Sequence, residues 1–342
     1  MKIALVGCGQ VTQSLHLPAL RSVPELEVAA LADLDGTRVN AVADRFGVAR
    51  RATDFRELLA DRELELFGVC VPPAAHADVA IELMRAGRHV LVEKPLALTR
   101  EDCERVDATA REAGVHATVG FNLRRHRLVA AARKELRAGA LGRVVLLTST
   151  FTSDAGLGSA EQDTLLERGI HHFDLWRHLL GSEIVEIAAR GEGGHTAVVT
   201  ARSAGGTLIT GQFSESSAAA NELAAYGDAG QLHLSCDRFD GLEVIPRPGY
   251  RGDLRVRARA AGRTLTQLPT VARARRGGGD MLGSYAAGWR DLARAIRDGT
   301  PADPGIEDGR RAVAMLLAAK ESLAAGGAPV AVVEPEPSRA AR

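Results

Sequence analysis

The stretch "MKIALVGCGQVTQSLHLPAL", residues 1–20, decides the fold. Its run "KIALVG" (2–7) is apolar at almost every position, which marks a strand buried on both faces rather than one lying on a half-exposed sheet. Glycines then turn the chain into a helical pattern. Gly7 permits the tight turn, Gly9 lets the backbone approach a pyrophosphate at the helix N-terminus, and Gln10 and Val11 are the next residues to meet it. The third small residue of such a turn is replaced by Thr12, a departure expected to loosen helix–strand packing.

The same alternation continues for 120 residues. "LEVAALAD" (26–33), "LFGVCVPP" (66–73), "HVLVEKP" (89–95) and "VHATVGF" (115–121) read as strands, with helical patterns near 13–22, 37–46, 54–60, 76–87 and 100–113. This predicts a doubly wound parallel sheet of the Rossmann type over residues 1–122. After Arg124 the rhythm changes. A helix near 127–138 is followed by longer, partly alternating runs: "RVVLLTSTFT", "IVEIAAR", "TAVVTARS", "GTLITGQFSE" and "NELAAYG". They predict an α+β domain over 123–335, built on a large, mostly antiparallel open sheet. A helix over roughly 163–180 interrupts the strands, and two amphipathic helices close the chain. These closing helices, 281–325, are candidates for packing back on the first domain, and 336–342 reads as a disordered tail.

Composition narrows the function. Net charge is formally zero, which argues against a whole-protein field drawing in nucleic acid or an anionic membrane. No signal-peptide cleavage region and no bilayer-length apolar run are seen, and the four cysteines lack CxxC spacing, so a soluble cytoplasmic protein without a disulfide framework is expected. Residues 246–279 carry nine arginines against one acid and read as a solvated surface excursion of the sheet. Asp33 closes the second strand, where a carboxylate accepts hydrogen bonds from adenosine ribose hydroxyls and repels a 2′-phosphate; NAD is favoured over NADP. Arg38, five positions on, keeps NADP as the alternative.

Four blocks, "GCGQVTQSLHLPAL", "VPPAAH", "EKP" (93–95) and "GIHHFDLWRHLLG", together resemble the glucose–fructose oxidoreductase / inositol dehydrogenase / MocA group over essentially the whole chain. The resemblance implies a nicotinamide enzyme acting on a sugar, cyclitol or related polyol, and a homodimer or homotetramer formed through the open sheet. It also implies cofactor contacts from Pro72, Pro73, His76, Glu93 and Asn122, and a place for Arg124 in the cleft; an ion pair is the equal alternative for that arginine. Lys94 fits independently, at the C-terminal end of a parallel strand, where ligands bind. Its ammonium would stabilise an alkoxide as it forms.

"LLERGIHHFDLW" (165–176) sets Glu167, His171, His172 and Asp174 within eight residues. Glu167 and His171, four apart, share a helix face, but His172 points about a quarter-turn away and no further ligand cluster exists, so no metal site is expected. By the resemblance, His171 sits opposite the motif lysine as general base, with Glu167 at the acid position that relatives commonly fill with aspartate. An imidazole suits taking the hydroxyl proton while hydride leaves the same carbon. His172 is read as packing or touching substrate. Asp154 and Asp163, with Glu161, belong to an acidic loop that borders the substrate pocket in relatives, which suggests a cationic amino sugar or aminocyclitol. The expected activity is oxidation of a secondary alcohol to a ketone. Reduction of a ketosugar (a nucleotide sugar included) at the same site, glycoside cleavage through transient oxidation, and non-catalytic nucleotide sensing are the alternatives.

Overall fold

The computed structural model describes residues 1–154, 163–192 and 194–333. Glu161 of the acidic loop and the tail 336–342 lie outside the described residues. The described residues form two compact units, one comprising Met1–Arg125 and Met281–Val313, the other His126–Asp280 and the described residues from Ala314 on.

In the first unit six parallel strands, β1 (Lys2–Val6), β2 (Glu27–Ala32), β3 (Arg50–Ala52), β4 (Leu64–Val69), β5 (His89–Val92) and β6 (Ala117–Val119), lie in the order β3-β2-β1-β4-β5-β6. This is the Rossmann order, with its reversal point between β1 and β4. The helices are α1 (Leu17–Leu20), entered through a wide π-turn at Thr12–His16, then α2 (Gly36–Phe46), α3 (His76–Arg85) and α4 (Arg100–Ala113). α2 is capped by Asp35, whose side chain accepts the Thr37 and Arg38 amides, and it stops at Gly47 in the left-handed region. β3 was not anticipated: "RRA" is a three-residue edge strand without an apolar run.

The second unit holds an eight-stranded sheet: β7 (Val144–Asp154), β8 (Ile184–Glu192), β9 (Thr196–Ser203), β10 (Leu208–Ser214), β11 (Ser216–Gly227), β12 (Gly230–Ser235), β13 (Leu242–Pro246) and β14 (Val330–Ala331). Its order is β13-β12-β11-β7-β10-β9-β8-β14, antiparallel throughout except for the parallel pair β7–β10. β9 is buried at every second residue, the pattern of a sheet with one covered and one open face. The helices are α5 (Arg127–Arg137), α6 (Ile170–Leu180) and α7 (Leu254–Arg276). α7 corrects the expectation for the arginine-rich segment, which is mainly a 23-residue helix rather than an excursion of the sheet. Arginine is a good helix former, but the segment lacks the apolar stripe by which a helix is recognised.

Two helices follow, α8 (Gly279–Asp298) and α9 (Ile306–Ala324). From Met281, α8 belongs to the first unit. Its Trp289, fully buried, joins Leu5, Leu31, Leu66 and Leu91 in one core. Gly68 makes this possible: a β-carbon there would stand 2.6 Å from a Leu5 methyl and 2.9 Å from the Trp289 ring. Among the described residues no helix is long and apolar enough to cross a membrane.

Candidate active site

At the first turn Gly7 has φ +96°, and a β-carbon on it would lie 2.3 Å from the Cys70 carbonyl oxygen at the end of β4. Only glycine fits. A β-carbon at Gly9 would meet open space, so the turn leaves room for a group beside it. Gln10 and Val11 are exposed at the start of the helical run, ahead of the first intrahelical bond, from the Gln13 amide to the Gly9 carbonyl. Backbone N–H groups in that position suit a pyrophosphate. Thr12 does not loosen the packing as expected. It is buried, and its hydroxyl donates to the Gly7 carbonyl at 2.6 Å, stitching helix to turn.

Asp33 is buried and accepts the Cys8 amide at 2.7 Å and the Asp35 amide at 2.9 Å. It therefore ties the first two strand ends together, and its neighbour Asp35 does the helix capping. Arg38 pairs with Asp33 (3.1 Å) and Asp35 (3.2 Å). A carboxylate has about four acceptor positions, and Arg38 is half-exposed and can swing away, so ribose hydroxyls can share Asp33. Glycine turn and carboxylate thus fit NAD.

Pro72 is exposed and Pro73 half-buried where the chain leaves β4. Lys94 is half-buried at the end of β5, and the residues around it are occupied in holding it. Glu93 is buried; its carboxylate accepts the Lys94 amide at 3.1 Å and lies 2.8 Å from His16 Nε2. Burial works to raise the Glu93 pKa, but the hydrogen bond from His16, with the charge and the backbone amide of Lys94, holds it below the ordinary carboxylate value. His76 Nδ1 lies 2.6 Å from the Pro95 carbonyl and its Nε2 2.9 Å from that of Val71. Glu93 and His76 thus brace the turn on either side of Lys94.

Asn122 spends its amide donors on Met281 Sδ (3.2 Å) and Ser284 Oγ (3.1 Å) of α8, leaving its carbonyl as the atom able to meet a cofactor. For Arg124 the ion-pair alternative holds, within one unit rather than between domains: it is buried and bridges Asp303 (3.0 Å) and Asp308 (2.8 Å) inside the first unit.

In the second unit a π-turn, Leu165–Gly169, precedes α6 and widens the helix under the acid–histidine pair, leaving Glu167 exposed and His171 half-buried. His171 stands against Phe151, with ring centroids 6.0 Å apart. His172 is a core residue, not a substrate contact: it is fully buried, stacked on Phe151 at 5.2 Å, with Nε2 3.1 Å from Asn221 Oδ1. Burial depresses its pKa to about 4. Asp163 accepts the Leu166 amide at 3.0 Å and pairs with Lys320 at 2.5 Å, which commits it to structure. Asp154 is exposed at the end of β7. Among the described residues no cluster of three or more histidine, cysteine, aspartate or glutamate side chains could hold a metal ion.

Residues 1–121 match the model of the "Oxidoreductase family, NAD-binding Rossmann fold", and 129–233 that of the "GFO/IDH/MocA C-terminal domain". The D-apiose dehydrogenase of Paraburkholderia graminis is 30% identical over 271 residues, covering 73% of this chain and 71% of the relative. The chain belongs to the Gfo/Idh/MocA family of NAD-binding oxidoreductases. The family's myo-inositol 2-dehydrogenase from Thermotoga maritima is 25% identical, with 94% of this chain and 96% of that one aligned. Several other curated relatives match over only 56–57% of their length. A levoglucosan dehydrogenase solved with NADH superposes with a TM-score of 0.83 over 98% of this chain and all of that one, at 20% identity, a likeness of fold.

Sequence reasoning missed His16 and Trp289, which stand around Glu93, and both π-turns. The one available signal concerned His172: it falls four and seven residues before Trp176 and Leu179, on the apolar face of α6.

Two outcomes follow from this geometry. Asp33→Asn is expected to raise KM for NAD about tenfold, roughly 1.4 kcal/mol, with kcat little changed; unaltered steady-state kinetics in NAD would show that Asp33 serves only the strand ends. For His172, the folded pKa lies below the unfolded one, so stability is complete above pH 6.5 and falls as the pH drops toward about 4. The drop is roughly 3 kcal/mol. Urea midpoints across that window should fall less steeply in His172→Gln, and parallel curves would reject the assignment.

Proposed function

We propose that the protein is an NAD-dependent dehydrogenase that oxidises a secondary alcohol of a sugar or cyclitol to a ketone, with Lys94 and His171 as its polar catalytic pair. The observation that carries this reading is the anchoring of Lys94, its amide bound by Glu93 and the next carbonyl by His76, at the carboxyl end of β5. Ligands of such sheets bind outside those ends. The substrates named for the family members from Thermotoga maritima and Paraburkholderia graminis, myo-inositol and D-apiose, support the same class.

NAD, bound along the Gly7 turn and Asp33, supplies the hydride acceptor. The Lys94 ammonium donates a hydrogen bond to the substrate oxygen and stabilises negative charge as the O–H bond breaks. His171 accepts the hydroxyl proton and later releases it to solvent. Glu167, one turn earlier, is suited to orient the imidazole or bind a neighbouring hydroxyl. The same groups run in reverse for a ketosugar. Because Asp163 is committed to Lys320, the acidic loop gives less support to a cationic amino sugar than the sequence suggested, and a neutral polyol is favoured. The four free cysteines suit the cytoplasm.

A second copy of the chain is proposed to cover the open face of the eight-stranded sheet. Leu146, Leu208 and Val198 share that face and are each about half exposed. Sedimentation at micromolar concentration should show a dimer or tetramer; a monomer for the wild type would sink that assignment.

The enzymatic reading is tested by NADH absorbance with inositols, neutral aldoses and glucosamine. Oxidation of a neutral polyol is expected, and loss of about 10²- to 10⁴-fold in kcat in Lys94→Ala and in His171→Ala, with NAD binding retained. Normal turnover in either variant would remove that residue from the mechanism, and a wild type that oxidises none of the panel would overturn the substrate class.

A further inference from the structure

Around Lys94 the first unit builds a chain of buried polar groups that the reaction described above leaves unused. The indole Nε1–H of Trp289 donates to His16 Nδ1 at 3.0 Å, His16 Nε2 lies 2.8 Å from Glu93 Oε1, and Glu93 Oε2 accepts the Lys94 amide at 3.1 Å. Trp289 and His16 are at most 1% exposed and Glu93 is 7% exposed. Direction along this chain is fixed at one end, because an indole nitrogen can donate and cannot accept. His16 Nδ1 is therefore the acceptor. The ring carries its proton on Nε2 and gives that hydrogen bond to Glu93, whose oxygens are left to accept on both sides.

The surroundings pull in two directions. Burial works against a charged imidazolium at His16, while Cys70 and Glu93 work for it and would together raise its pKa to about 10. The second proton would have to enter at Nδ1, and the indole N–H already occupies that position. The remaining groups facing the ring are Cys70 from the end of β4, Lys94 beyond Glu93 from the end of β5, and Tyr285 from α8, set edge-on at 5.0 Å. Burial pushes the Tyr285 phenol up, so it stays neutral. The cluster therefore holds a neutral His16 and a Glu93 carboxylate.

Packing holds that carboxylate in one place. A β-carbon on Gly120 would come within 3.0 Å of the Glu93 carboxyl, so the glycine allows Glu93 to lie flat against the strand end. Gly68 does the same for the Trp289 ring. We propose that His16 and Trp289 are positioning residues for Lys94: they keep Glu93 an anion in a single orientation, and Glu93, through the Lys94 amide, fixes the point from which the amine projects. This rests on Lys94 acting in the reaction as proposed above.

The test uses the full chain and Trp289→Phe, which keeps a ring in the core and removes the donor. In ¹⁵N spectra of labelled wild type the His16 ring is expected as the Nε2–H tautomer, unchanging between about pH 6 and pH 9. In Trp289→Phe that signal should titrate within the window, and the Lys94 amide resonance should move with it. With a polyol that the wild type oxidises, kcat of the variant should fall roughly tenfold from pH 9 to pH 6 beyond any wild-type change, with KM for the polyol little affected. His16→Gln, whose amide can still donate to Glu93, should keep more activity than His16→Leu. An Nδ1–H tautomer or a charged His16 ring in the wild type would overturn the proposal, as would identical pH profiles in wild type and Trp289→Phe. If no polyol is turned over, the substrate reading falls separately and the spectra decide this one.

Discussion

The carbonyl of Cys70 passes so close to Gly7 that no side chain can stand between the ends of β1 and β4, and the site in the first unit depends on that approach. It brings the two strands at the reversal point of the sheet to the same level, with the Cys70 amide on the Val6 carbonyl at 2.7 Å. From one strand end the chain enters the helix whose N–H groups meet a pyrophosphate. From the other it runs through Val71 and two prolines into α3, and His76 reaches back from α3 to the carbonyls of Val71 and Pro95. The close contact thus sets where the phosphate turn, the proline loop and the lysine turn stand with respect to one another, and the rest of the polar site is added around them.

The buried charged groups of the first unit are matched by partners within it. Asp33 is matched by Arg38, Arg124 by Asp303 and Asp308, and Glu93 by hydrogen bonds from an imidazole and an amide. A buried carboxylate is tolerated because its acceptor positions are filled; stripped of those partners, it would take up a proton. A similar economy appears in the second unit, where His172 sits neutral in the core beside Phe151 while its neighbour His171 stays half-buried.

Much of this could be read from the sequence, and the parts that could not share a physical cause. The parallel strands announced themselves because burial on both faces leaves near-continuous apolar runs, and Lys94 could be placed because a strand end is a position along the chain. β3 and the helical character of 254–276 were missed because an edge strand of two arginines and an alanine, and a helix without an apolar stripe, carry no periodic signal. The partners of individual residues were hidden in a different way. Glu93, His76 and Arg124 were picked out correctly as unusual, but a sequence does not say which way a side chain points, and their partners are remote: Asp303 lies 179 positions from Arg124, and Trp289 lies 273 from His16. For His172 the packing alternative could have been preferred from the start, since its place on the apolar face of α6 follows from helical spacing alone.

The parallel pairing of β7 with β10, in a sheet that is otherwise antiparallel, has a consequence for how the second unit comes together. β8, β9 and β10 form one meander of neighbours in sequence, and β11, β12 and β13 form another. β7 is the seam, joined on one edge to β10 and on the other to β11, and the pairing of Leu146 with Leu208 closes a loop of about sixty residues that hairpin contacts do not require. Closing such a loop is a slow, non-local event in chain assembly. α6, which bears His171, lies within that loop, in the connection from β7 to β8. The imidazole is therefore carried on a connection that becomes a closed loop only when β7 and β10 pair, so its placement is tied to a non-local contact rather than to a hairpin.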